Sequence, residues 1–268
     1  INPGGPNGGS ATQYFTGSFD GTFFVPETTE TRWVDHGKDN YAGVSFAGIP
    51  DQDGRRIVVG WMSNWQYATK VPTARWRSAM TIPRTFHLVD HDGTATLYSR
   101  PVAELENLRE PEITIEPITL TPNDQHSQSE TIIPETAEIH LVFDFSTDSA
   151  ATSFGLIIGN DQSQQLVAGY DREAGAFYID RNQAGDGSFS ADFKGKHSAP
   201  YQAGGEKTIS MRIFLDVASL EFFAQDGAVV LTDIFFPDTP VHKLRFFSSN
   251  GTVRLVSAKV YPLKATVK

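Results

Sequence analysis

Two short stretches of this 268-residue chain concentrate side chains that could handle a polar ligand. One is Asp35-His36-Gly37-Lys38-Asp39-Asn40-Tyr41-Ala42-Gly43. The other is Gly60-Trp61-Met62-Ser63-Asn64-Trp65-Gln66-Tyr67-Ala68. Both mix aromatic rings with hydrogen-bonding side chains near expected strand ends. Sugars bind such mixtures, because ring C–H faces pack on an aromatic and hydroxyls pair with Asp, Asn or Gln. The same mixture suits an ordinary aromatic-rich β core with polar turns. Residue types alone favour this second reading.

Other chemistries find little support. The chain has no cysteine, which excludes a disulfide framework, a thiol nucleophile and a Cys-based zinc site. Its seven histidines form no HExxH-type metal site. His140 and His242 fall in strand patterns and read as surface or packing residues. The Gly-rich run from Asn2 to Gly9 lacks the Lys-Ser/Thr of a phosphate loop and has no helix after it. No Gly-x-Ser-x-Gly elbow occurs, so a serine hydrolase is unsupported. The sequence calls for no metal and no cofactor. The formal net charge is -10, without a basic stripe, so neither nucleic acid nor an anionic membrane surface is an expected partner. A neutral substrate fits this charge. No apolar run approaches the ~20 residues of a membrane helix.

The elements that must position these residues read mostly as strands. Short apolar or alternating runs are separated by Asp-Gly and Asn-Gly turns, as at Asp20-Gly21, Asp53-Gly54 and Asp92-Gly93. One helix is expected over 102–109, with Pro101 near its start, Glu104 in its first turn, Leu105 and Leu108 on one face and Pro111 as a stop. All four tryptophans, at 33, 61, 65 and 76, precede it. Beyond it come regular alternating strands, expected near 138–145, 154–158, 166–170, 176–180, 208–215, 220–223, 228–236, 243–247 and 253–261. About ten short strands in such a stretch suggest a two-sheet sandwich. A boundary is therefore expected near 101–112.

At the two polar-aromatic stretches the sequence resembles glycoside hydrolase family 32, the levanase, exo-inulinase and invertase group. Ile1 to Gly21 is similar to the family's "INPGGPxGGSxxQYFxGxFDG", and Asp35 to Ala42 to its "DxGKDFYA". Arg56 to Ala68 is similar to "RRIxxGWMSNWxYA", and Trp76 to Arg84 to "WRGAMSLPR". In the second half, Phe177 to Arg181 and Phe214 to Gly227 resemble "LYLDR" and "DxSSVEVFxNDG". Asn40 departs from the pattern, since the family usually has an aromatic there.

The resemblance implies an all-β fold: the last part of a five-bladed β-propeller followed by a β-sandwich. It places residues 1–103 in about two propeller blades, 104–111 in a helical linker and 112–268 in the sandwich. It implies hydrolysis of β-fructofuranosidic bonds in fructans or sucrose with retention, in a secreted, extracellular protein. By resemblance Trp65 walls the fructose pocket, Asn64 stands beside it, and Asp39 and Tyr41 form a polar and aromatic pair near the rim. Lys38 is a weaker candidate, and Trp61 reads as packing. The family's catalytic carboxylates lie in "NDPNG", "RDP" and "EC" motifs, none of which occurs in this sequence. The chain begins Ile1-Asn2-Pro3, without Met or a signal-peptide pattern. The expectation is a C-terminal half whose partner is the N-terminal propeller half, inactive alone. Phe15, Phe19, Val58, Trp61 and Ile82 are then expected on uncovered blade faces. A non-catalytic fructan-binding module, or a structural partner completing another chain's propeller, are the alternatives.

Overall fold

The computed structural model describes residues 1–91, 93–122, 130–147 and 149–266; Asp92 and His126 lie outside them. Past Pro101 the strands form two antiparallel sheets packed face to face. One runs in the order Ile113–Ile115, Val253–Pro262, Ala137–Asp144, Thr208–Asp216, Ser219–Ala224, Val229–Ile234. The other runs Thr131–Ile132, Lys243–Ser249, Ser153–Gly159, Gln165–Asp171, Ala176–Gln183, Lys196–Pro200. Alternation dictates which side chains meet. Ile139, Leu141 and Phe143 point inward from one sheet, and Phe154, Leu156 and Ile158 from the other, into one buried cluster. Each such side chain contributes about 1.5–3 kcal/mol on burial.

The first hundred residues form a four-stranded antiparallel sheet, Tyr41–Ser45, Arg56–Met62, Arg84–His91 and Thr94–Pro101, with Ala79–Met80 added beside Arg56–Met62. This is the shape of one propeller blade. Two ribbons precede it: Gln13–Tyr14 with Arg32–Trp33, and Gly17–Phe19 with Phe24–Pro26. Phe15 and Phe19 are exposed, as expected, and Phe23, Phe24, Val25, Val44 and Phe46 join them. Val58 and Trp61 are instead half-buried. Ile82 is not on a free face at all: it packs against Phe214, Phe223 and Val230 of the sandwich, together with Leu105 and Leu263. The expected helix is a single 3-10 segment, Ala103–Leu108. Val102 and Arg109 at its ends have extended backbone, and Arg109 already bridges to Leu263 in extended pairing.

The strand Val229–Ile234 ends its sheet, and an open sheet edge is a liability. Residues 36–39 cover it. His36 N donates to Val230 O at 2.8 Å, and Asp39 N donates to Thr232 O at 2.9 Å. The approach is so close that a Cβ on Gly37 would lie 2.1 Å from Thr232 N. Only glycine fits there. The blade thus extends the sandwich sheet with its own Asp35–Asp39 segment.

Candidate functional site

Strand Arg56–Met62 runs out into a turn over 63–68 that carries one outward aromatic between two inward anchors. Asn64 is fully buried. Its Nδ2 donates to Lys38 O at 2.8 Å and Gly8 O at 3.3 Å, and its Oδ1 accepts from Gln66 N at 3.0 Å. Tyr67 is also fully buried, and its amide donates back to Asn64 O at 3.1 Å. Between them Trp65 is 55% exposed. Its amide donates to Ser10 Oγ at 3.0 Å, which fixes the backbone beneath the indole. Gly9, with φ +74, passes so close that a Cβ there would meet Asn64 Oδ1 at 2.1 Å. The Gly-rich start of the chain is thus a brace for this turn.

The indole of Trp65 packs on Trp61 with centroids 4.9 Å apart and planes at 47°. Tyr41, the cross-strand partner of Trp61, meets it edge-on at 6.4 Å. Trp65, Trp61 and Tyr41 form a continuous aromatic ledge at the end of the sheet, with only Trp65 largely open to solvent.

Behind the ledge lie two buried polar networks joining blade to sandwich. In the first, Arg181 of strand Ala176–Gln183 donates from Nη1 to Asp39 Oδ2 at 2.6 Å and Ile234 O at 2.8 Å, from Nη2 to Tyr67 Oη at 2.9 Å, and from Nε to Phe193 O at 2.7 Å. Tyr67 Oη donates to Asp39 Oδ1 at 2.6 Å. Asp39 Oδ2 also accepts from Ile234 N at 3.0 Å. Asp233 accepts from Lys38 N at 2.9 Å and lies 2.6 Å from His197 Nδ1. Burial pushes the Asp39 carboxyl up, against the pull of Arg181. Burial, and then the Asp39 charge, drives the Tyr67 hydroxyl well above its ordinary value, so it stays a donor.

In the second network Arg84 Nη1 donates to Asp35 Oδ2 at 2.8 Å, and its Nη2 to Glu221 and Thr232. Asp35 Oδ1 accepts from Gly37 N and Thr232 N, and Asn40 Nδ2 donates to Asp35 Oδ2 at 3.0 Å. Asn40 therefore serves the interior of the joint. Burial raises the Glu221 carboxyl despite Arg84 beside it. A lone charge between apolar strand neighbours signals such a joint, and Glu221, between Leu220 and Phe222, carries that signal in the sequence; Arg181, between Asp180 and Asn182, does not.

Of the four residues singled out from sequence, Trp65 and Tyr41 stand on the ledge. Asn64 and Asp39 are sealed beneath it, and Lys38 is buried with Nζ donating to Asp192 O at 2.6 Å. Tyr67, Arg84, Arg181, Glu221 and Asp233 belong to the site's support without being marked as site residues by the sequence motifs. The four carboxylates of these two networks, Asp35, Asp39, Glu221 and Asp233, are all buried and already hold hydrogen-bond donors. What the site offers outward is an aromatic surface. Among the described residues, no group of three His, Cys, Asp or Glu is placed to hold a metal ion, and no helix is long and apolar enough to cross a membrane.

Two family profiles divide the chain between them. The glycosyl hydrolases family 32 N-terminal domain matches residues 1–101, and the glycosyl hydrolases family 32 C-terminal domain matches residues 104–262. The chain belongs to glycosyl hydrolase family 32. Its family 32 relatives include a levanase of Bacillus subtilis (strain 168), 39% identical over 98% of this chain and 39% of the levanase. An extracellular exo-inulinase of Aspergillus awamori is 33% identical over 99% of this chain and 51% of its own length. The chain therefore spans 39% and 51% of these two curated relatives. The crystal structure of exo-inulinase from Aspergillus awamori superposes with a TM-score of 0.86, at 30% identity, over 99% of this chain and 53% of that one. A fructofuranosidase from Schwanniomyces occidentalis complexed with fructose gives 0.83, at 27% identity, over 99% of this chain and 56% of that one. The family 32 fold, part of a propeller followed by a sandwich, is the fold of this chain.

Proposed function

We propose that this chain is the C-terminal portion of a secreted hydrolase that cleaves β-fructofuranosidic bonds in levan, inulin or sucrose. Residues 1–103 form the closing part of its propeller, 104–111 the linker and 112–268 the sandwich. Within it, the Trp65 ledge walls the pocket that receives the terminal fructosyl ring. The observation that carries this reading is the exposed indole of Trp65, held rigidly between two fully buried anchors. An apolar ring left open to water at the cost of an elaborate support is what ligand stacking requires. Tyr41 extends the wall through Trp61. Asn64 and Asp39 serve it from beneath, by fixing the turn.

Retaining hydrolysis needs a carboxylate nucleophile and a carboxylic acid about 5–5.5 Å apart. The buried acids here cannot approach a sugar, and the sequence lacks the family's carboxylate motifs. The reacting acids are thus supplied by the N-terminal half, and this chain shapes the pocket. The extracellular exo-inulinases among its relatives support secretion.

Trp65→Ala in the full-length enzyme tests the reading. Removing the stacking surface while leaving the acids in place raises KM about tenfold, the equivalent of about 1.4 kcal/mol of aromatic contact. Unchanged kinetics would make Trp65 a structural tryptophan.

A further inference from the structure

We propose that Arg181 and Tyr67 are positioning residues for the fructosyl site, so that the sandwich sets the direction of the pocket wall. The proposal rests on the reading of Trp65 as that wall.

Both feet of the Trp65 turn end on the same piece of chain. Asn64 holds Lys38 O at 2.8 Å, and Tyr67 Oη holds Asp39 Oδ1 at 2.6 Å. That piece is in turn fastened to the sandwich. Lys38 N donates to Asp233 Oδ1 at 2.9 Å, and Ile234 N donates to Asp39 Oδ2 at 3.0 Å. Arg181 closes the circuit, because one guanidinium grips Asp39, Tyr67, Ile234 O and Phe193 O together. The four acceptors sit around a rigid planar fork, so moving any one of them strains the others.

The Tyr67 ring rests on sandwich residues too. It meets Phe193 edge-on at 5.2 Å, and the Arg181 guanidinium carbon lies 5.5 Å from its centroid. One foot of the turn is thereby bedded in the sandwich through both its hydroxyl and its ring. The indole is two residues away, with no strand pairing of its own to hold it. The direction of Trp65 is therefore read out from a side chain 116 positions later in sequence. Neither Arg181 nor Tyr67 presents surface to the ledge, as both are fully buried. Their influence on a sugar has to pass through the turn.

Two measurements test this. The first labels this chain with 5-fluorotryptophan and follows the Trp65 resonance, assigned with Trp65→Phe. Tyr67→Phe keeps the ring on Phe193 and removes only the hydroxyl. It is expected to shift the Trp65 resonance and leave those of Trp33 and Trp76 in place. The second is steady-state kinetics of the full-length protein on inulin. There Tyr67→Phe is expected to raise KM about three- to tenfold with kcat within twofold, the pattern of lost uniform binding. Arg181→Lys is expected to fail as a rescue of Arg181→Met, because an ammonium cannot hold four acceptors in one plane. An unmoved Trp65 resonance overturns the proposal, and so does a fall in kcat with KM unchanged. The Trp65→Ala control separates the two layers of argument. If it raises KM and Tyr67→Phe does not, the wall stands and the positioning role fails. If Trp65→Ala leaves KM unchanged, the wall reading itself fails, whatever the fluorine spectrum shows for the turn.

Discussion

Arg181 Nη1 and Asp39 Oδ2 lie 2.6 Å apart across 142 positions of sequence, and neither side chain reaches solvent. The pair fixes one segment of the blade against one strand of the sandwich. A buried ion pair adds little net stability over a well-packed apolar substitute, but losing one partner strands the other as an uncompensated charge.

The Arg84 network should behave in the same way. Arg84→Met leaves Asp35 and Glu221 buried without the cation between them. The expected loss is about 3–5 kcal/mol, read by urea unfolding of this chain with tryptophan emission, since all four tryptophans lie on the blade side. A loss below about 1 kcal/mol would show that the acids find water or protons easily and that the joint is looser than described.

Gly37 offers a second probe of the joint. A Cβ there would press on the backbone of Thr232, and overpacking of this kind costs about 1–3 kcal/mol. Gly37→Ala should accelerate amide exchange at Asp39 and Ile234, whose amides cross the joint. Exchange at Leu141 and Leu156, deep in the sandwich, should stay slow. Equal acceleration everywhere would mean that blade and sandwich unfold as one unit.

The sandwich carries its own acid-sensitive site at Glu138. Burial pushes this carboxyl up, but hydrogen bonds from Arg109 and His140 and the Arg212 charge outweigh it and hold it at about 2, below its ordinary 4.5. A carboxyl depressed in the folded state stabilises the fold above its unfolded pKa and loses that contribution as pH falls through the folded one. Stability should therefore decline between about pH 4.5 and about pH 2. Glu138→Gln should be less stable at neutral pH and flatter across that window. Parallel pH profiles for the two proteins would exclude Glu138 as the source.

Much of this was written locally. Strand Ala137–Asp144 shows its inward face through Ile139, Leu141 and Phe143, because period-two alternation needs no knowledge of the partner strand. Trp65 between polar neighbours marked an outward aromatic. The joint was harder to read. Asp39 looks like a polar pocket residue until Arg181 is seen beside it, and no spacing rule links positions so far apart. Asn64 is similar, since an amide next to an exposed indole serves equally as a turn anchor. Ile82 looked like a residue for a free blade face, yet Phe214 and Phe223, more than 130 positions away, cover it. The helix expected over 102–109 has sound end signals, but Arg109 pairs with Leu263, a partner distant in sequence, and a short 3-10 segment over Ala103–Leu108 remains.

The central claim is that this chain shapes a fructosyl pocket whose reacting carboxylates come from elsewhere. Fructose release from levan, inulin and sucrose by the purified chain tests it most directly, beside the full-length enzyme as positive control. The account predicts release by the full-length enzyme and none above buffer by the chain alone, because losing even one reacting carboxylate removes many powers of ten in rate. Steady fructose release by the chain, verified free of the N-terminal half and abolished by substitution of one of its own acids, would contradict it.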